Sequence, residues 1–407
     1  VNEGQEFNLT SSGDNVGGSA FVSAISDDKY TLEALNEMGM KVTAVGNHEF
    51  DKGTEDLTGR IADSSDYPIL GANVFKDGKP LLEASHVEEI DGVKVGYVGT
   101  VTENTKYKVS AAKIPGITFT NPAEATNKEA TRLKESGEAD VVVALMHEDA
   151  QGFAEDFNKD VDVAFGGDTH VATKGEIERE GALPLQWAQG HEYGKLLNDV
   201  DITFDKTAKK ITDISLKQYD ATAAAKVEPD AEIAAIVKKA QQEADIEGAK
   251  TAGTVERALF RGSDENADSG SNRGVESTLN NFIADGQRYA MSKQVGEDIE
   301  IGVMNAGGVR ADLKGGDVTY KDIFEVQPFG NSVITAKISG EEFINALENQ
   351  WQEGSRPRLA MGLSNNVQVV YDQKANKGER VKFVTINGEQ IDPKKDYSIA
   401  LSSFLAS

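Results

Sequence analysis

The sequence predicts an α/β fold in two domains, and three observations carry that expectation. Short β-branched runs alternate with helical stretches through the first half, the pattern of a layered α/β domain. Each run ends in a loop of Gly, Asn, Asp or His, the place where such domains usually bind ligands. The character then changes over residues 219–250, and a second α/β unit follows. A chain of 407 residues, at roughly 100–200 residues per domain, has room for both.

The elements follow in order. Apolar residues recurring at three and four predict helices over 30–40 and 122–135. Strands are expected at 41–45, running into Gly46-Asn-His-Glu-Phe-Asp51, and at 93–98, ending at Gly99-Thr100. Two more are expected at 140–146, ending at His147, and at 161–165, ending at Gly166-Gly-Asp-Thr-His170. An alanine- and charge-rich helix from Glu228 marks the junction, giving a domain over 1–220, a linker or hinge helix over 221–252 and a domain over 253–407. The second unit is expected to hold a helix over 275–291, a strand over 299–304, a Gly-rich turn over 305–310 and a strand over 332–338. Ser339 and Glu342 then form a capping box. The acidic stretch 262–270 is expected to be a mobile loop.

Composition narrows the function. With 42 basic against 68 acidic residues the net charge is −26, so a polyanionic nucleic acid is repelled. No run approaches the ~18 apolar residues of a membrane span. With no cysteine, thiolate catalysis and Cys-type zinc sites are excluded. Val1 is preceded by no initiator Met and followed by no basic or apolar leader, so the ends are expected to be trimmed.

Of the five histidines, His48, His147 and His170 each follow an apolar strand in a loop with Asn or Asp. Any one of them could be an ordinary packed loop residue. Three at the same end of a parallel sheet point to a divalent metal, with Mn, Zn, Fe or Co compatible with imidazole, carboxylate and amide donors. Asp14, in Ser12-Gly-Asp-Asn-Val-Gly-Gly-Ser19, is the carboxylate of a further glycine loop that could also be a plain turn. His86 and His191 belong to no such pattern and are assigned to structure or surface.

Gly46-Asn-His-Glu-Phe-Asp51 resembles the signature of the calcineurin-like metallophosphatases. With Gly13-Asp14, His147 and Gly166-Gly-Asp-Thr-His170 in order, the chain resembles the bacterial 5′-nucleotidase/UDP-sugar hydrolase family. Asn272-Arg-Gly-Val-Glu276, Asn305-Ala-Gly-Gly-Val-Arg310, Gln327-Pro-Phe-Gly-Asn331 and Ser403-Phe-Leu-Ala406 resemble that family's C-terminal nucleotide-binding domain.

The resemblance implies a four-layer α/β/β/α metallophosphatase domain, a second α/β domain that binds the nucleotide, and rotation about a hinge near 221–250. It implies a secreted, periplasmic or cell-wall location and release of phosphate from nucleoside 5′-monophosphates. Two divalent ions (Mn, Zn, Mg or Co) about 3.5–4 Å apart would polarise the phosphoryl group and generate the hydroxide nucleophile. Asp14 matches the carboxylate bridging the metals, Asn47, His147 and Asp168 match positions around the second, and His170 matches a ligand of the first. His48 and Asp51 match the dyad that faces the phosphoryl oxygens and leaving group. Arg273, Asn305 and Arg310 match substrate-gripping positions, although read alone the arginines could be surface ion pairs. Phe329 and Phe404 match the aromatics that sandwich the base, although read alone each could be core.

Three departures stand out. The family's opening Asp-x-His-Gly strand does not precede Asp14, and its Gly-Gly-Asp-Gly does not follow Phe404. Asp168 stands where the family has a histidine, a harder donor that favours Mn or Mg over Zn. For residues 1–407 alone the expectation is therefore at most one metal, among Asp14, Asn47, His147 and Asp168, with mobile loops around His170 and negligible activity. UDP-sugar or 2′,3′-cyclic nucleotide hydrolysis, and an inactive nucleotide-binding surface protein, stay open as alternatives.

Overall fold

The computed structural model describes residues 6–329, 331–352 and 358–406; Gly330 of the expected Gln327–Asn331 motif lies outside the described residues. The chain divides into two compact units, Val1–Gln242 and Glu243–Ser407, with the division inside the helix Ala231–Gly248.

In the first unit, strands Leu9–Ser11, Met40–Ala44 and Ile69–Leu70 form a three-stranded parallel sheet. Six strands form a second sheet in the order Ala172–Ile177, Leu185–Gly190, Val163–Gly166, Val141–His147, Val93–Val101, Ser85–Ile90. Its four central strands are parallel and its two edges antiparallel. Val141–His147 is buried along its whole length, as a strand covered on both faces must be. Val42, Ala44 and Leu70 of the small sheet share one apolar core with Val95, Tyr97, Val141, Val143 and Val163 of the large one. On the other face of the large sheet, Ala130 and Leu133 of helix Pro122–Ser136 pack with Val98, Val142 and Ala144. That helix starts where Asn121 accepts the Glu124 N–H with Pro122 at the first turn, and stops at Gly137 with φ 70°.

The two sheets correct one expectation. His147 and His170 follow strands of the large sheet, but His48 follows a strand of the small one. Periodicity identifies a strand, but the partners it pairs with depend on residues distant in sequence.

In the second unit the sheet order is Val333–Ser339, Asp396–Ser402, Ile301–Met304, Gly362–Leu363. Helix Thr278–Val295, capped by Ser277, packs Leu279 and Ala284 with Met304. The capping box at Ser339 and Glu342 forms as the sequence predicts. The acidic stretch is tied down: Gly270 N–H donates to the Gly262 carbonyl at 3.0 Å, and Arg261 donates to the Ser269 carbonyl at 3.1 Å.

Candidate active site

Four loops at strand ends meet in the first unit. The Asp14 loop and the Gly46–Asp51 loop touch backbone to backbone: a Cβ on Gly46 would stand 2.1 Å from Asp14 Oδ1, and one on Gly13 would stand 2.7 Å from Gly46 N. Only glycine permits that approach at either position. Asp14 and Asp168 both adopt positive φ, 57° and 64°, and so does His170 at 58°. Aspartate and histidine are among the non-glycine residues that adopt this left-handed backbone most readily.

The side chains converge on Asp14 and Asp168. His147, 3% exposed, donates from Nδ1 to the Ser12 carbonyl at 2.8 Å. That bond aims Nε2 at Asp14 Oδ2, 3.0 Å away, and at Asp168 Oδ1, 3.6 Å away. Asp14 Oδ1 accepts the His48 N–H at 2.8 Å. Asn47, oriented to satisfy both neighbours, donates to Asp168 Oδ1 at 3.1 Å and accepts the His48 N–H at 3.3 Å. His48 Nδ1–H donates to Asp51 Oδ2 at 2.8 Å; Gly18 packs against the imidazole, where a Cβ would stand 2.9 Å from Nε2, and Gly17 packs against the His48 carbonyl, 2.7 Å from where its Cβ would stand.

The charges of this cluster are coupled. Burial opposes ionisation of Asp14, but the His147 imidazolium and the His48 contacts outweigh it and hold the carboxyl below its ordinary range. Burial likewise pulls the His48 imidazole down, but the hydrogen bond to Asp51 and the charges of Asp14 and Asp51 outweigh it, so the pKa is raised to about 9.

Glu49 and Lys108 were not singled out by the sequence. Glu49, 2% exposed, accepts the N–H groups of Asn15 at 2.7 Å, Asp14 at 3.0 Å and Gly46 at 2.6 Å, and so ties the two loops together. Burial first, and the charge of Asp14 second, push its carboxyl up to about 7. Its place inside the Gly46–Asp51 motif was the signal available. Lys108 forms an ion pair with Asp168 Oδ1 from 60 residues away, and no local pattern announces it.

The donor set fits a divalent cation. Two carboxylates, an imidazole whose Nδ1–H is held by a carbonyl and a side-chain amide point at one place, and the Nδ1 bond is the outer-shell support that imidazole ligands usually have. Turning the Asn47 amide over faces its oxygen to Asp168 Oδ1, two acceptors that a cation between them would satisfy. Among the described residues, no group of three or more carboxylate or imidazole side chains is placed so as to hold a metal ion; those of this cluster are paired with one another and with Lys108. His170 stands on an exposed stretch, with its ring edge-on to Tyr193 at 5.7 Å. His86 pairs with Glu88 at 2.7 Å, and His191 pairs with Glu192.

The second unit holds a polar cleft of about 170 Å³ lined by Arg261, Arg273 and Arg310 with Ser277 and Asn280. Arg273 lies against the glycine turn, 3.4 Å from where a Gly307 Cβ would stand, and Asn280 donates to the Asn305 carbonyl at 3.2 Å. Arg310 sits 5.9 Å from the Phe329 ring centre. Phe404 is 51% exposed and Phe329 half-buried, so neither is a core residue. Val333 pairs with Ser402, and Ser403 Oγ donates to Asn331 Oδ1 at 3.3 Å, so the loops of both phenylalanines leave the same end of the sheet. Arg261, which the sequence reading passed over, donates to Asp312 at 3.1 Å and to the Arg310 carbonyl at 2.9 Å and so holds the cleft wall.

Comparison with known proteins agrees with this division. Residues 7–172 match the calcineurin-like phosphoesterase family, and residues 251–407 match the 5′-nucleotidase C-terminal domain. The chain belongs to the family that joins these two domains. The chain is 30% identical, over 98% of its length, to endonuclease YhcR of Bacillus subtilis, but spans 32% of that protein. It is 25% identical, over 94% of its length, to a 5′-nucleotidase of Vibrio cholerae, and spans 74% of it. In fold it is similar to a 5′-nucleotidase precursor from Thermus thermophilus, with a TM-score of 0.72 at 22% identity over 98% of this chain and 80% of that one. Among the described residues, no helix is long and apolar enough to cross a membrane.

Proposed function

We propose that this protein is a metal-dependent phosphohydrolase that releases phosphate from nucleoside 5′-monophosphates outside the cytoplasm. The observation that carries the reading is the convergence of Asp14, Asn47, His147 and Asp168 beside the His48–Asp51 pair. Family membership supports the reaction class, and the arginine cleft supports an anionic substrate.

Asp14, Asn47, His147 and Asp168 would hold a divalent ion, with Mn or Mg suited to the oxygen-rich set. When bound, it supplies Lewis-acid charge to the phosphoryl oxygens and activates the attacking water. Asp51 keeps the His48 proton on Nδ1 and raises the pKa of the ring, so His48 meets the substrate as an imidazolium. That charge stabilises the negative charge growing on the phosphoryl and leaving-group oxygens. Glu49 fixes the spacing of the two loops without meeting substrate. In the second unit Arg273 and Arg310 would grip anionic oxygens, Asn305 would hold the glycine turn beside them, and Phe329 and Phe404 would stack on the base.

The test is phosphate release by the full-length gene product with Mn²⁺ from AMP, a UDP-sugar and a 2′,3′-cyclic nucleotide. AMP is expected to be the best substrate. Preference for either of the others would move the substrate assignment, and nucleotide binding without release from any would refute the enzyme.

A further inference from the structure

The Asp168 carboxylate, one of the proposed cation ligands, is paired with an ammonium. Lys108 pairs with Asp168 Oδ1, the oxygen that also lies 3.6 Å from His147 Nε2 and 3.1 Å from the Asn47 amide. The pair is delivered by the scaffold. Thr102 N–H donates to the His147 carbonyl at 2.9 Å, Thr105 Oγ1 donates to the Thr102 carbonyl at 2.7 Å, and Thr105 and Val109 are buried on either side of the lysine. The segment that docks on His147 therefore also fixes where Lys108 begins. Asp168 is only 12% exposed, so its charge needs a partner in either state.

We propose that Lys108 is a built-in competitor for the divalent cation, and that it sets the affinity of the Asp14–Asn47–His147–Asp168 site. This rests on the metal reading above. An ammonium and a divalent ion in contact with one carboxylate oxygen repel strongly at this burial, so the ion must displace the lysine. Metal affinity is then lowered by the fraction of molecules in which Asp168 is already taken. When metal is scarce the lysine neutralises Asp168; when metal is plentiful it swings to solvent, which its own one-third exposure permits. Asp168 and Lys108 thus act together, and the substituted carboxylate is tuned rather than lost.

Mn²⁺ binding by isothermal titration calorimetry, with no substrate present, tests the proposal on the full chain. Lys108→Met should bind Mn²⁺ about tenfold more tightly than wild type, while Lys108→Arg, which keeps the charge, should stay within about twofold. Lys108→Gln should match Lys108→Met and guards against a folding defect peculiar to one variant. Asp168→Ala should bind more weakly. If wild type binds Mn²⁺ and neither Lys108→Met nor Lys108→Gln binds more tightly, the lysine inference is overturned and the metal reading stands. If no variant and no wild-type protein binds Mn²⁺, both are overturned.

Discussion

Glu49 accepts the backbone N–H of Asp14 at 3.0 Å and that of Gly46 at 2.6 Å, joining two loops that belong to neighbouring parallel strands. A single buried carboxylate thereby sets the distance between the Asp14 carboxyl and the Asn47–His48 pair. Replacing it by alanine leaves one buried and two part-buried backbone donors without this partner, so Glu49→Ala should cost about 2 kcal/mol or more in urea unfolding. A loss below about 1 kcal/mol would show that the loops hold together without it.

How much of this was legible beforehand follows from the range of each interaction. Asn47, His48, His147 and Asp168 stand in loops just past apolar runs, Asp14 lies in a glycine loop that only the family resemblance singled out, and the capping box at Ser339 is written in four consecutive residues. The inward turn of Glu49, the ion pair from Lys108 to Asp168 and the clamp of Arg261 on Asp312 join segments 34, 60 and 51 residues apart. Periodicity has no access to these. For the same reason periodicity placed His48, His147 and His170 at the end of one sheet, where His48 follows a strand of another.

The pH dependence of the metal-free protein should report on His48. Its folded pKa of about 9 lies above the ordinary 6.5, so its contribution to folding is complete below pH 6.5 and is lost as pH rises through 9. Asp51→Asn should bring the His48 titration down, followed by NMR of the ring protons, and should flatten the fall in Tm over that window. Titration of wild-type His48 at or below 6.5 would remove the imidazolium from the mechanism.

The base-stacking assignment separates from a packing role through exposure. Phe404 is 51% exposed, so Phe404→Ala should leave Tm nearly unchanged. It should weaken AMP by ~1–3 kcal/mol in Kd or KM while hydrolysis of p-nitrophenyl phosphate stays close to wild type. Equal losses on both substrates would place Phe404 in the scaffold.

His48 acts on the substrate in this account and leaves the cation to its neighbours. His48→Asn should therefore lower kcat by ~10²–10⁴ with Mn²⁺ content unchanged by elemental analysis. Loss of metal together with activity would reassign His48 to the cation site.

Cation-driven phosphate release at Asp14, Asn47, His147 and Asp168 is tested most directly by stripping and restoring metal during AMP hydrolysis by the full-length gene product. Chelation should abolish release, Mn²⁺ should restore it in wild type, and His147→Ala should stay inactive at the Mn²⁺ concentration that restores wild type. Release that survives chelation, or full recovery of His147→Ala at that concentration, would contradict it.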